Sequence, residues 1–459
     1  MEPVGANRAM VGRDRFVDLL RGGSIVAVVL GHWLVADVRW DGALLTDTST
    51  LAEVPSMWPI TWLFLVIPLF FFVGGYANRR SWQGARRRGE GYAAYLDRRL
   101  HRLLTPTALY LAVVCAVGVV VAARDGLGLG QLGGLVLQSL WFLGAYLWVV
   151  ALAPVMLAAH ERWGAGVLAV LAVLIVLGDL GRFGLGLSIM GYLNVLWVWL
   201  LMHQLGFWYG QGRWTVRQAR WMLGVGLVAT AALTSTAWYP TTMVAVPGIS
   251  EGNMHPPTLA VTTLGVAQIG ACLLLRPLLV RWLDRPRVWR AVVAVNLTII
   301  SIYCWHQAAL LLAARLTLPL GWPDPVPGTA AWWVAHVTWL LVPAVVLAAI
   351  VAAVGRVEQV RPPIPIRAGR RTASLAALAV IVVGIGFIDL AGSSALSLLA
   401  PGEQLGPFTA SAALGLALLA AGAGLMAGMR RWAPADDGQR VLRGTAAGTS
   451  AGTAAGTPG

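Results

Sequence analysis

Long apolar runs separated by short polar segments extend along almost the whole chain of 459 residues. Most of the runs are close to the ~20 residues that an α-helix needs to cross about 30 Å of hydrocarbon. Twelve runs cover 16–37, 57–77, 105–123, 136–158, 164–180, 190–210, 221–239, 259–280, 291–315, 331–354, 373–391 and 408–428. They are rich in Leu and Ala and too long for barrel strands. The pattern therefore predicts an all-α fold, a polytopic transmembrane helical bundle of about 12 spans.

Composition agrees with a membrane protein. Hydrophobic residues make up 58% of the chain and charged residues 12%, whereas a soluble domain carries roughly 25% charge. We therefore expect the lipid bilayer as a partner. The three cysteines are odd in number, lie inside predicted spans and show no metal-ligand spacing, so we interpret them as packed residues and expect no metal site. They are Cys115, Cys272 and Cys304.

The distribution of Arg predicts the orientation of the chain. Every basic residue is Arg, and a cytoplasmic N-terminus places 30 of the 34 on the inner side of the twelve predicted spans. This asymmetry predicts cytoplasmic N- and C-termini. Topology and anionic lipid headgroups account for the net charge of +14, so we expect no nucleic-acid partner. Arg-only basic usage with abundant Ala and Gly suggests a GC-rich genome, which favours the cytoplasmic (inner) membrane of a bacterium.

Two segments stand outside the apolar pattern. The segment 355–372 is rich in Arg and Pro and is predicted to be a cytoplasmic linker. The segment 429–459 consists largely of Gly, Ala and Thr and has few bulky apolar residues to bury, so we predict a disordered cytoplasmic tail.

Polar residues at membrane depth are the candidates for chemistry, because ionisable groups inside a bilayer are costly and usually face a cavity or a partner. Arg21 and His32 in the first run are eleven residues apart, which returns them to one helix face about 16 Å apart along the axis. This pair suits a ligand with an anionic part near the inner surface and a reactive part deeper in the membrane. A topology anchor and a hydrogen-bonded core histidine fit the same spacing equally well.

Three further residues join this set of candidates. Arg99 and Arg102 are three residues apart at the inner end of the third span, so they share a helix face. They fit a phosphate site with Arg21, and they also fit an ordinary positive flank. Asp18 lies close to Arg21 on the first helix and is a candidate for orienting it.

Five short motifs, in order along the chain, resemble the acyltransferase 3 family of integral membrane acyltransferases. The first is the opening segment 15–21 with the Arg21 and His32 spacing, and the second is 68–76, Pro-Leu-Phe-Phe-Phe-Val-Gly-Gly-Tyr. The other three are Arg-Leu-His-Arg at 99–102, Leu-Trp-Phe-Leu at 140–143 and Ile-Tyr-Cys-Trp-His at 302–306. The likeness runs from about residue 13 to about 350. It implies a ten-span acyltransferase-like core over 1–354, with two additional transmembrane helices in 373–428 outside it.

The resemblance also implies a function. Such proteins move an acyl group, commonly acetyl, from cytoplasmic acyl-coenzyme A (acyl-CoA) to a hydroxyl of an envelope glycan, a glycolipid or a secreted small molecule. By this likeness Arg21, Arg99 and Arg102 are expected to bind the phosphates of the donor, and His32 to be the general base. His306 is a second catalytic candidate, and no permanently bound cofactor is expected. Many members have His where this chain has Ser139, and some have Glu in the region of Tyr146.

Two other functions remain open at this point. One is a polytopic transporter of a solute or lipid-linked sugar that uses the same intramembrane polar residues. The other is a non-catalytic membrane scaffold. The identity of the acceptor, the acyl chain length, direct transfer or an acyl-enzyme relay, and the oligomeric state are all left open by the sequence.

Overall fold

The computed structural model of the protein describes residues 14–40, 42, 45–123, 133–246, 252–323, 325–355, 370–391, 403–405 and 408–431. The α-helices of this part of the chain are α1 (Arg15–Val35), α2 (Thr50–Glu53), α3 (Thr61–Phe64), α4 (Ile67–Arg87), α5 (Tyr92–Ala123), α6 (Gly133–Gln138), α7 (Leu140–Trp163), α8 (Ala165–Asp179), α9 (Ser188–Tyr209), α10 (Val216–Thr234), α11 (Leu259–Leu283), α12 (Pro286–Leu297), α13 (Ile299–Thr317), α14 (Ala330–Trp339), α15 (Leu341–Val354), α16 (Arg370–Ala391) and α17 (Ala412–Arg431).

Short elements complete the described chain. Turns of 3-10 helix cover Pro55–Ile60 and Leu318–Leu320, and a π-helical turn covers Leu180–Gly184. Two antiparallel hairpins pair β1 (Ala36–Trp40) with β2 (Leu45–Ser49), and β3 (Glu403–Leu405) with β4 (Phe408–Ala410). In the first hairpin Ala36 pairs with Ser49 and Trp40 with Leu45, so the chain turns back directly after α1.

The structure is that of an all-α polytopic protein. Nine segments of the described residues are long and apolar enough to cross a membrane: Arg15–Val35, Pro55–Arg87, Tyr92–Val120, Leu135–Trp163, Ala165–Gly184, Ser188–Tyr209, Leu259–Leu283, Ile299–Leu320 and Ala330–Val354. Shorter apolar stretches, Thr372–Gly386 and Ala413–Met429, lie in α16 and α17. The remaining predicted span falls on α10, which carries Arg217 and Arg220. The count of twelve spans therefore stays a prediction.

The polar segment 78–102 between the second and third predicted spans is largely helical. The helix α4 continues to Arg87 and α5 begins at Tyr92, so nearly the whole segment is helical. Arg is a good helix former, and charged helix ends can extend beyond the hydrocarbon. The motif from Arg99 to Arg102 therefore lies within a continuous helix of 32 residues.

Four predicted single spans are divided into separate helices, those at 136–158 and 331–354 by one residue each, Ser139 and Leu340. The span predicted at 57–77 is interrupted at Leu65 and Val66, where α3 ends and α4 begins with Pro68 in its first turn. The span predicted at 291–315 is divided at Thr298, between α12 and α13. Hydropathy is averaged over many residues, so it does not show an interruption of one or two residues.

The helix α1 packs against α4, α11, α12 and α13. Asp14 caps its N-terminus by accepting hydrogen bonds from the backbone N–H of Phe16 and Val17, at 3.0 and 3.4 Å. Such a cap satisfies N–H groups that the first turn of a helix leaves without partners. One side of α1 is buried, so both ends of the predicted Arg21 and His32 face lie within the bundle.

The helices α4 and α9 approach backbone to backbone through two glycines. A Cβ atom at Gly75 would lie 2.0 Å from the carbonyl oxygen of His203. A Cβ atom at Gly206 would lie 2.0 Å from the carbonyl oxygen of Phe72. Only glycine fits at either position, and the close approach brings the side chains of the two helices into direct contact.

The helices α16 and α17 pack against each other, and α16 packs on α7. At Gly384 in α16 a Cβ atom would lie 2.2 Å from Nε1 of Trp148 in α7. The predicted linker 355–372, apart from its first residue and the start of α16, lies outside the described residues. So does the predicted tail after Arg431.

Candidate functional site

A cavity of about 520 Å³ lies beside the C-terminal half of α1. We call it the His32 cavity; its polar lining includes Ser24, His32, Ser139, His255 and Gln307. Apolar and aromatic side chains form most of the rest of the wall. None of the described residues that line the His32 cavity is Asp, Glu, Lys or Arg. An apolar wall with a few placed polar groups is typical of a small-molecule site.

His32 and His306 form a direct contact between α1 and α13. Nδ1 of His32 lies 2.8 Å from Nε2 of His306, and the two rings stack with their centroids 5.0 Å apart. His306 is fully buried, and its Nδ1 lies 2.6 Å from the carbonyl oxygen of Tyr303. Trp33 donates a hydrogen bond of 3.1 Å to the carbonyl oxygen of His306. The His306 imidazole is therefore fixed by its own helix and by α1.

These contacts assign the tautomers of both neutral rings. A carbonyl oxygen only accepts, so Nδ1 of His306 carries the hydrogen and donates to Tyr303. Nε2 of His306 then accepts the hydrogen bond from Nδ1–H of His32. Nε2 of His32 then carries a lone pair to which no described residue donates a hydrogen bond, and His32 lines the cavity. The arrangement provides a base whose second ring nitrogen is held by a neighbour, as a positioned general base requires.

Arg21 lies on the same helix, three residues before Ser24, and is only partly exposed. The charged groups that act on its guanidinium are those of Arg99, Arg102 and Asp18, together with the phenol of Tyr146. Three predicted donor-binding arginines are thus brought together from α1 and α5. Two like charges near a third favour an anion among them. Arg21 does not line the His32 cavity, in which Ser24 is the α1 residue nearest to it.

Arg99 is held by a buried chain of polar side chains that sequence reasoning missed. Its Nη2 donates to Oδ1 of Asn78 in α4, and Nδ2 of Asn78 donates to Nε2 of His203 in α9, at 3.0 Å. Asn78 and His203 are fully buried. The contact depends on the glycine-to-glycine approach of α4 and α9, which no local sequence signal reveals. Arg99 is therefore oriented by a neutral amide.

The neighbouring arginines are used differently. Arg88 and Arg98 both contact the carboxylate of Glu90 in the turn between α4 and α5. Their hydrogen bonds hold the pKa of Glu90 below its usual value, that of Arg88 contributing most. Charge in this turn is therefore partly balanced.

Asp18 contributes its backbone carbonyl to the packing of α1, since Asn296 of α12 donates to it at 2.8 Å.

Two residues that depart from the pattern of the family, Tyr146 and Ser139, lie at the site. Tyr146, in the region where the resemblance leads us to expect Glu in some members of the family, acts on the guanidinium of Arg21. Ser139 lines the His32 cavity, and its carbonyl oxygen accepts a hydrogen bond from Tyr303. Aromatic residues here extend the packing around the cavity, because Phe70 contacts both Phe142 and Tyr146 edge to face.

A family model described as an acyltransferase domain, Acyl_transf_3, matches residues 14–355. No match was found among curated proteins or among solved structures. The matched range begins at the cap of α1 and ends directly after α15, while α16 and α17 follow it. It contains His32, His306 and the three arginines Arg21, Arg99 and Arg102, which we call the arginine group.

Proposed function

This chain belongs to the acyltransferase 3 family, and we propose that it moves an acyl group from acyl-CoA to a hydroxyl of an acceptor. The donor is acetyl-CoA in this proposal, and the acceptor is an envelope glycan, a glycolipid or a secreted small molecule. The observation that carries the proposal is the open Nε2 of His32 in the His32 cavity, with Nδ1 held by His306. The reaction is O-acetyl transfer in the inner membrane of a bacterium, with both termini in the cytoplasm.

The arginine group is the proposed donor end of the site. Coenzyme A carries several phosphates, and Arg presents a planar fork of donors that matches phosphate oxygens. Arg99 contacts a neutral amide through Nη2, so its charge is available to an anion. The phosphates would bind near Arg21, Arg99 and Arg102, on the predicted inner side of the membrane. The flexible arm of the donor would then follow α1 past Ser24 toward His32.

The reaction needs one proton to move twice. Nε2 of His32 takes the proton of the acceptor hydroxyl as its oxygen bonds to the thioester carbonyl carbon. Nδ1–H of the resulting imidazolium keeps its hydrogen bond to Nε2 of His306, which stabilises the positive charge. The tetrahedral intermediate then breaks the carbon–sulfur bond. The coenzyme A thiolate receives the proton from His32, and the acceptor leaves as its ester.

Transfer of labelled acetyl groups is the direct test of the proposed function. Membranes that contain the protein should move radiolabel from acetyl-CoA, labelled with 14C in its acetyl group, into a carbohydrate, lipid or small-molecule fraction. Membranes from the same host without the protein give the background. Label that never exceeds this background would contradict the proposal, and a solute that is taken up unmodified would instead support the transporter.

Replacing Arg21 by Ala is expected to raise the KM for acetyl-CoA about 10-fold to 100-fold. A hydrogen bond to a charged group contributes roughly 1.5–3 kcal/mol to binding. Loss of that free energy weakens donor binding by about 10-fold to 100-fold. The kcat should change much less, because the base stays in place. Arg290→Ala is the matched control, since Arg290 is exposed on α12 and is not among the groups that act on the Arg21 guanidinium. Equal KM values in the two variants would remove Arg21 from the donor site.

A further inference from the structure

The loop between α10 and α11 places a second histidine, besides His32, in the lining of the His32 cavity. His255 lines this cavity together with its neighbour Met254. The loop lies at the end of the bundle where α1 passes into the β1–β2 hairpin, which is the predicted outer side. It therefore reaches the His32 cavity from the side opposite to the arginine group.

Buried hydrogen bonds hold the described parts of this loop, 235–246 and 252–258. The side-chain amide of Asn253 donates to the carbonyl oxygens of Pro240 and Thr242, at 2.6 and 2.8 Å. Its Oδ1 accepts a hydrogen bond of 3.0 Å from the hydroxyl of Thr258. Asn253 is fully buried. Both sides of the loop are thus joined through one amide, two residues before His255.

A buried carboxylate anchors the end of the loop. Oδ2 of Asp179 accepts from the backbone N–H of Leu259 at 2.7 Å and from the hydroxyl of Tyr239 at 3.0 Å. Nη1 of Arg182 donates to the carbonyl oxygen of Pro256 at 3.3 Å. Groups of α8 and of the π-helical turn therefore hold Tyr239, Pro256 and the first residue of α11. These buried contacts hold the part of the loop around His255 in one position relative to the His32 cavity.

His255 keeps accessible surface although it lies inside the protein, because it lines the His32 cavity. Its ring contacts Trp141 edge to face, with the centroids 4.8 Å apart. It is close enough to His32 for the two rings to interact electrostatically. Among the described residues no hydrogen bond reaches either of its ring nitrogens. Both nitrogens are thus available to a molecule in the cavity.

We propose that His255 binds the acceptor, by hydrogen bonds to an uncharged group that carries the reacting hydroxyl. This inference rests on the proposed function, for which it specifies a second contact of the acceptor. Burial lowers the pKa of His255 to about 4, so its imidazole is neutral near pH 7. A neutral imidazole donates one hydrogen bond and accepts one, which suits a hydroxyl beside the reacting one.

The rest of the wall agrees with an uncharged acceptor group. The described lining has no Asp, Glu, Lys or Arg that would balance a charge, and an unpaired charge in an apolar cavity is costly. Trp141 and Phe142 offer apolar surface to the carbon-bound hydrogens of the same group. His32 and His255 would thus hold two neighbouring oxygens of one acceptor.

Steady-state kinetics on purified variants in liposomes test the inference. The acceptor used is the fraction that gains label from acetyl-CoA with the wild type. His255→Phe keeps the ring contact with Trp141 but removes both hydrogen bonds, so the KM for the acceptor should rise about 10-fold. The KM for acetyl-CoA should stay as in the wild type. His255→Gln keeps a donor and an acceptor and should recover at least half of the loss.

A second readout separates binding from a merely structural role. Diethyl pyrocarbonate should modify His255 in the wild type, and the acceptor fraction should protect it. Asn253→Ala should raise the acceptor KM as well but also lower the melting temperature, because it releases the loop. An unchanged acceptor KM in His255→Phe, or an equal rise for both substrates, would overturn the inference. If the wild type transfers no label at all, the proposed function fails and the inference fails with it.

Discussion

Replacing His32 by Gln is expected to lower kcat for acyl transfer by about 100-fold to 10,000-fold. A positioned general base contributes a factor of this size, and Gln cannot take the proton of a hydroxyl. Gln is close to His in size and can still donate to Nε2 of His306, so the cavity should keep its shape. Label transfer from acetyl-CoA at saturating donor, with protein amounts matched by immunoblot, measures the effect.

Replacing His306 by Gln provides the companion measurement. His306 does not take the acceptor proton in the proposed reaction; it holds Nδ1–H of His32 at 2.8 Å. His306→Gln should therefore lower kcat less than His32→Gln does, by about 10-fold, with little change in either KM. A larger loss in His306→Gln than in His32→Gln would mean that the roles of the two rings are reversed. Wild-type rates in His32→Gln would exclude His32 as the base.

Replacing Gly206 by Ala is expected to destabilise the fold by about 3 kcal/mol or more. The new Cβ atom would lie 2.0 Å from the carbonyl oxygen of Phe72 and 2.9 Å from the backbone nitrogen of Tyr76. These are backbone atoms, so no side-chain rotation relieves the contact and α4 and α9 must move apart. Thermal unfolding of the purified protein in detergent measures the loss.

Gly224→Ala is the matched control for this substitution. Gly224 lies inside α10, and a Cβ atom there meets nothing within 4 Å. Ala should be neutral or slightly stabilising at that position, because it restricts the unfolded chain and favours the helix. Similar melting temperatures for the two variants would contradict the close packing of α4 on α9. The separation of these helices should also weaken donor binding, since Asn78 would lose contact with His203.

Much of the fold could be predicted from the apolar pattern, because a helix in a membrane needs a run of fixed length whatever it packs against. The helix α1 illustrates this, since its observed bounds of Arg15–Val35 differ by only one or two residues from the predicted run 16–37. The hairpin of β1 and β2 was not predicted. Its residues are polar enough to be taken for an ordinary loop, and strand pairing depends on the partner strand.

The candidate site was predictable only along one helix. The spacing of Arg21 and His32 follows from 3.6 residues per turn, and both do lie on the continuous helix α1. The contact of His32 with His306 joins residues 274 positions apart, and that of Asn78 with His203 joins residues 125 positions apart. Periodicity shows which side of a helix is polar, but not which other helix faces it. Here the resemblance to a known family supplied His306, and nothing supplied Asn78.

The distance along α1 between the arginine group and His32 restricts which acyl carriers can contact both. Eleven residues of helix separate the two ends by about 16 Å. A carrier that contacts both must have a flexible arm of about that length between its anionic group and its acyl carbon. In an acyl phosphate the acyl carbon is bonded to an oxygen of the charged phosphate group itself. Such a molecule, held by its phosphate at Arg21, would leave its acyl group far short of the imidazole.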